Sequence, residues 1–262
     1  MTARTRLLMS LIYAAFAIYV FVPLTLMILM GFKDSKFIGF PIKSWTLDWY
    51  VRVFEDSEFI SVFGYSVVIA LGSTLISLLV GTWLAILLSR RQFFGKALIF
   101  SLTLLPAVLP GIISAISFRI YARLLGIEPG MFAVIWAHAV HNVPFVVLVL
   151  IARLSTLPAN YNEAARDLGA DPLVAFVRIT LPYLKPAMIG AGVFCLLLSF
   201  DDFVRSFFLG GYQPTLPVYI FAKLRSGMSP EINAISTIVI IITSALGIWA
   251  ERTMRRMPGG GR

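Results

Sequence analysis

The chain has 262 residues, 59% of them hydrophobic and only 13% charged, with a mean hydropathy of +0.88; this excludes a soluble domain of that size and predicts an all-α polytopic membrane protein. The net charge of +9 does not point to nucleic acid, because the basic residues stand at the ends of apolar runs rather than on one face among aromatics. Cys195 is the single cysteine and lies inside an apolar run, which excludes a disulfide framework and a thiolate metal cluster.

Six apolar spans are predicted, at about 7–32, 60–89, 97–125, 129–152, 183–208 and 232–250. The first follows Arg4 and Arg6 and passes an A-x-A at Ala15 to Ala17 that mimics a signal-peptide cleavage site. The apolar run continues to Phe32, so an uncleaved spanning helix is expected. The loop from Lys33 to Phe59 carries Trp45, Trp49 and Tyr50, which suit an interfacial helix against the membrane as well as contacts with a partner. In the third span Pro106 and Pro110 each remove a backbone donor, which predicts a bent helix whose freed carbonyls are satisfied by protein or by a cavity. That bend serves either a pathway or packing alone.

His138 and His141 share one face of the fourth span. With no nearby carboxylate or thiolate and no HExxH, they read as polar contacts between helices rather than metal ligands.

Glu163 to Pro182 is the longest amphipathic stretch between apolar spans. Asn160 or Asn162 can cap a first short helix and Gly169 supplies its left-handed stop. Asp171 caps a second helix with Pro172 in its first turn, and Pro182 is expected to end it. Ala164, Ala165, Leu168, Leu173, Phe176, Val177 and Ile179 form an apolar set that something must cover, which predicts a docking surface.

The fifth span has no charge between Ala187 and Phe200, about 21 Å of helix against a bilayer core of about 30 Å. Asp201 and Asp202 therefore fall at membrane depth, where ionisable groups face a wet cavity or a partner. Arg205 is four residues after Asp201 and three after Asp202, so internal pairing is the competing explanation.

Arginine and lysine cluster at Arg4 and Arg6, at Arg90, Arg91 and Lys96, at Arg153, Arg166, Arg178 and Lys185, and at Arg252, Arg255, Arg256 and Arg262. The opposite side mixes Lys33, Lys36, Lys43 and Arg52 with Asp34, Asp48, Glu55, Asp56 and Glu58. This bias predicts both termini, and the loop around Glu163, in the cytoplasm.

Glu163-Ala164-Ala165, Gly169 and Ile179-x-Leu181-Pro182 resemble the EAA loop of permeases in type I ABC importers. SFDDF at Ser199 to Phe203 and TLPVYIFAKLRSGMSPEINAIST at Thr215 to Thr237 resemble the second permease subunit of spermidine/putrescine ABC importers, a likeness running from about Tyr65 to Trp249. The resemblance implies a first helix and outer loop over 1–59, a type-1 transmembrane core over 60–252 with its coupling loop at 154–182, and a tail over 253–262.

It also implies residue roles and partners. Glu163, Ala164, Ala165, Gly169, Asp171 and Pro182 would couple to an ATPase, and Asp201, Asp202 and Arg205 are candidate pathway residues. The implied partners are a homologous permease, two ABC ATPase subunits, a periplasmic solute-binding protein and membrane lipid. ATP and Mg would sit on the ATPase, with no cofactor on this chain.

Acidic groups at membrane depth would replace part of the water lost by a protonated amine, whereas Arg205 would repel a cation unless the aspartates hold it aside. Arg119 and Arg123, near the outer end of the third span, add positive charge on the same side. GxxxxGK[ST] is absent, so the chain is expected to hydrolyse no ATP itself. The alternatives are a permease for another cargo, such as an opine or amino-acid derivative, and a membrane scaffold docking a non-ATPase partner. A secondary transporter fits less well, because no inverted repeat is evident.

Overall fold

The computed structural model describes residues 3–35, 39–90, 92–158, 160–227 and 229–256, and among them every regular element is a helix. Lys36, Arg91, the end of the tail at 257–262, and the side chains of Arg90, Asn162, Glu163, Arg166 and Arg256 lie outside the described residues. The chain divides into two compact units, residues 1–60 with 220–242 and residues 61–219 with 243–262.

In the first unit, α1 (Ala3–Gly31) is an apolar rod whose span has no buried residue in its most apolar window. A helix apolar all round belongs in lipid or against another chain. At its end a Cβ on Gly31 would stand 2.9 Å from the Tyr50 hydroxyl and 3.2 Å from the Ala234 amide, so glycine permits this close approach. Trp49 Nε1 donates to the Lys33 carbonyl at 2.9 Å, and a bridge pairs Lys33 with Trp45. These contacts seat α2 (Asp48–Glu55), which buries Trp49 and Val53 and leaves Val51 and Phe54 exposed, as an interfacial helix should.

The second unit holds most of α3 (Ser57–Arg90), the pair α4 (Lys96–Val108) and α5 (Gly111–Leu124), and α6 (Met131–Leu154). After α7 (Asn160–Asp167) and α8 (Pro172–Ala175), a five-residue π-helical segment (Phe176–Thr180) leads into α9 (Leu181–Asp201). Then come α10 (Phe203–Leu209), the start of α11 (Leu216–Ser226) and the end of α12 (Pro230–Arg256). Val146, Leu150 and Leu154 of α6 meet Leu184, Ala191 and Cys195 of α9, with Ala85 of α3 closing the cluster.

Small residues bring these rods together, as packing in lipid requires. A Cβ on Gly81 would stand 2.6 Å from Val146 Cγ1, and one on Gly192 would stand 3.2 Å from Leu78 Cδ1.

Among the described residues five helices are long and apolar enough to cross a membrane, or six if the bent pair α4–α5 counts as one span. The spans expected at 7–32, 60–89, 129–152 and 232–250 correspond to α1, α3, α6 and α12, with ends shifted by a few residues.

Three expectations are corrected. The third span is not one bent helix over 97–125: α4 and α5 turn 108° at Leu109 and Pro110. Pro110 excludes its predecessor from the helical region, and Leu109 is accordingly extended at φ −67°, ψ 135°. Pro182 does not end the second loop helix. The Leu181 amide bonds to the Phe176 carbonyl, a π turn that passes the chain into α9 with Pro182 in its first turn, where no N–H is missed. The fifth span does not run unbroken to 208 but stops at Asp202, at φ −74°, ψ 90°. One element was absent from the sequence reading: α11 occupies part of the interval between the last two spans.

Candidate functional site

Two places along one helix carry the residues singled out in the sequence. The first is the elbow between α7 and α8. Gly169 has φ +83°, and the Ala170 amide reaches back to the Ala165 carbonyl at 2.9 Å, closing α7 with a left-handed stop. Asp171 Oδ1 accepts from the Val174 amide at 2.7 Å and caps α8, with Pro172 next. The short helices and their sharp turn are therefore as the residue types dictate.

Ala165 is buried, while Leu168 is 88% and Leu173 67% exposed, joined by Tyr161, Val174 and Val177. The apolar residues thus split between a face that holds the elbow to the protein and a face left uncovered. Trp83 stacks on Phe176 with ring centroids 5.7 Å apart. Arg153 lies over the Tyr183 ring at 4.0 Å and donates from Nε to the Tyr183 carbonyl at 3.3 Å. These contacts clamp the end of α6 to the start of α9, so the elbow is framed on both sides.

The second place is the break after α9. Asp202 Oδ1 accepts from the Arg205 amide at 3.0 Å, capping α10, and Oδ2 accepts from Arg205 Nη1 at 2.6 Å. Both side chains are nearly sealed, at 9% and 6% exposure. Arg205 Nη2 also reaches Ser114 Oγ of α5 at 3.1 Å and His141 Nδ1 of α6 at 3.0 Å. One guanidinium therefore ties α5, α6 and α10.

His141 Nδ1 stands 3.1 Å from the Pro106 carbonyl, the acceptor that Pro110 cannot satisfy because it has no N–H. Protonated there, the ring donates to that carbonyl; bare, it accepts from Arg205. His138 is fully sealed, with Nδ1 2.7 Å from Ser199 Oγ and Nε2 3.3 Å from Ser206 Oγ and 3.9 Å from Asp202 Oδ2. Ser73 of α3 donates to Ser199 Oγ at 2.9 Å, and Asn142 Nδ2 donates to the Cys195 carbonyl at 3.0 Å. Both histidines are thus polar contacts between helices, and among the described residues no group of three His, Cys, Asp or Glu stands close enough to share an ion.

Asp201 and Asp202 have different fates. Asp202 is committed to Arg205, whereas Asp201, the last residue of α9, is exposed and enters no hydrogen bond or ion pair among the described residues. The turn at Asp202 produces this divergence, because it ends the helical succession just where the two carboxylates would have shared it. Beside Asp201, Phe203 stacks on Phe207 with centroids 5.4 Å apart, and Phe207 is half exposed. The sequence reading missed Ser73, Ser114, Asn142, Ser199 and Ser206; their only signal was small polar side chains within apolar runs.

The family described as "Binding-protein-dependent transport system inner membrane component" matches residues 77–257. The spermidine/putrescine transport system permease protein PotC of Escherichia coli (strain K12) is 31% identical over 248 residues, covering 94% of this chain and 92% of that protein. The putrescine transport system permease protein PotI of the same organism is 32% identical over 246 residues, covering 91% of this chain and 87% of that one. Among solved structures, a bacterial ABC transporter involved in import of the acidic polysaccharide alginate superposes with a TM-score of 0.74 at 19% identity, over 96% of this chain and 98% of that one. The MetNI methionine ABC transporter, in an inward-facing conformation, gives 0.64 at 18% identity, over 78% of this chain and 96% of that one.

Proposed function

Because this chain belongs to the family of binding-protein-dependent transport system inner membrane components, we propose that it forms half of an import pathway for spermidine, putrescine or a related organic cation. It is a translocation subunit of an ABC importer and not itself an enzyme. The cargo assignment is supported by the relatives' named substrates and by a carboxylate, Asp201, left available at membrane depth. The other half of the pathway comes from a related permease. Two ABC ATPase subunits bind ATP and Mg, a periplasmic solute-binding protein delivers the cargo, and both termini of this chain lie in the cytoplasm.

One observation carries the mechanism: α8, the π turn and α9 form one continuous helical span from Pro172 to Asp201 that joins the elbow to the acidic pair over 30 residues, or about 45 Å. The exposed apolar side of the elbow docks in the ATPase, with Glu163, Ala164, Ala165, Gly169 and Asp171 fixing its shape and Pro182 its junction to α9. Movement of that groove on nucleotide turnover tilts α8, the π turn and α9 together. The tilt moves Asp201 relative to the partner permease and changes which side of the membrane the pathway faces.

The test is uptake of labelled spermidine and putrescine by cells whose only such system is the reconstituted operon. Gly169→Asp and Glu163→Ala are expected to lower ATP-dependent uptake and ATPase co-purification while the permease inserts normally. Wild-type uptake in both variants would remove the elbow from the mechanism. Failure of the wild-type system to move either amine would remove the cargo assignment.

A further inference from the structure

We infer that Arg205 is a specificity-determining residue, which cancels the charge of Asp202 so that this half of the pathway offers an entering organic cation one net negative charge rather than two. The inference rests on the cation reading of the site above, and it deepens that reading from cargo class to cargo charge.

Asp201 and Asp202 are consecutive, so their Cα atoms are about 3.8 Å apart, and two bare carboxylates there would form a doubly negative focus deep in the bilayer. Arg205 Nη1 sits 2.6 Å from Asp202 Oδ2, and the pair is nearly sealed from its surroundings at 6% and 9% exposure. In that setting the guanidinium and the carboxylate pair as a near-neutral unit. Asp201 faces outward from the chain with no partner among the described residues. The charge offered to a ligand is then that of Asp201 alone.

Position reinforces the point. Arg205 is not a side chain that can swing out when a cation arrives. Its backbone amide is held by Asp202 Oδ1 at 3.0 Å, and its second terminal nitrogen is held by Ser114 Oγ at 3.1 Å and His141 Nδ1 at 3.0 Å. A fixed positive charge that cancels one of two carboxylates lowers the affinity gained per ligand charge relative to a bare acidic pair, because Coulomb energy in a poorly screened site scales with the product of the charges. A ligand that brings one ammonium to this half neutralises it. A second ammonium on the same half finds Asp202 already committed to Arg205, so further positive groups of the cargo must find their acceptors on the partner permease.

The experiment is a charge ladder on the assembled complex of both permeases and the ATPase. The complex is titrated directly with butylamine, putrescine and spermidine, which carry one, two and three amines, and apparent affinity is read from thermal stabilisation. Arg205→Gln leaves two negative charges and is expected to steepen the dependence on ligand charge, gaining about tenfold more affinity for spermidine than for butylamine. Asp202→Asn leaves none and is expected to flatten that dependence. The double variant restores a net charge of minus one and is expected to return the wild-type profile despite having lost the ion pair. Arg205→Lys, which keeps the charge and changes the geometry, is expected to behave as wild type.

A ladder in which Arg205→Gln shifts all three amines equally, or in which the double variant follows either single variant, would overturn the inference and leave Arg205 a brace. No stabilisation of the wild-type complex by any of the three amines would overturn the cation reading on which the inference stands. Should one single variant fail to assemble, the other and the double variant still separate charge from brace.

Discussion

The two ends of the helical span formed by α8, the π turn and α9 differ in how complete they are within one chain. At the elbow, the Asp171 cap and the glycine stop are satisfied locally, yet Leu168 and Leu173 stand 88% and 67% exposed. At the other end Asp202, Arg205, His138, His141, Ser73, Ser114, Ser199 and Ser206 bond to one another inside the protein, leaving Arg205 Nε as the buried guanidinium nitrogen without a partner. An unfinished apolar surface is completed by another molecule, so damage there should spare folding and spoil coupling. A buried polar network bonded mainly within the chain is held by its own members, so damage there should spoil folding first. Asp201 is the exception at its end, since it stands beside the network without joining it.

The largest effect expected from this contrast is that of Asp202→Ala. It removes the cap of α10 and strands a buried guanidinium, at a cost of about 3–5 kcal/mol. Purified protein should show a sharply lower melting temperature and a poor yield of monodisperse complex. A wild-type melting curve would mean that the ion pair at 2.6 Å contributes nothing to folding.

Gly169→Val comes next. A β-branched residue at φ +83° is strained by about 1–3 kcal/mol, and the strain falls on the elbow alone. Uptake and ATPase co-purification are expected to drop about tenfold while the permease melts as before. Loss of melting temperature instead would show that the elbow is part of the folding core and erase the contrast between the two ends.

Asp201→Asn sharpens the comparison from within the acidic pair. Its stability should change by less than about 0.5 kcal/mol, as for a surface position, while cation uptake falls several-fold. Uptake kinetics indistinguishable from wild type would make Asp201 as structural as its neighbour. The smallest effect expected is that of Leu168→Ser, which trims apolar docking area and should weaken ATPase association modestly, by about 1–2 kcal/mol, with no change in the permease's own melting.

Much of this layout is legible in the residues, for reasons that differ by region. Apolar spans and the elbow are governed by local rules: a run of about 20 apolar residues fills a bilayer, Gly169 supplies the left-handed stop and Asp171-Pro172 starts the next helix. The breaks are subtler because each depends on one residue acting on its neighbours. Pro106 stays within α4, whereas Pro110 four residues later ends it by forcing Leu109 extended. Pro182 reads as a terminator but is absorbed by a π turn, an option invisible to a capping rule. Asp202 looks like a mid-helix carboxylate until its role as a cap for Arg205 is seen; an Asp three residues before a paired Arg, at the end of an apolar run, is the signal that was available.

The buried network is the least legible part. Ser73, Ser114 and Ser199 belong to three different helices, and which serines meet is a property of helix rotation and crossing. Sequence periodicity constrains those quantities only to the width of an apolar stripe. The same limit explains why the two aspartates were readable as a pair but not as a paired one and an available one.

The central claim is that force from nucleotide turnover enters through the elbow, and site-directed cross-linking there tests it most directly. A Leu168→Cys variant, with Cys195 buried and out of reach of the reagent, would be treated with a short reagent that joins a thiol to an amine in the assembled complex, with and without ATP, and the products resolved by mass. The account predicts a product joining this chain to the ATPase subunit, with a yield that changes between nucleotide states. A cysteine at this position that labels freely with a water-soluble maleimide in every state, and never joins the ATPase, would contradict it.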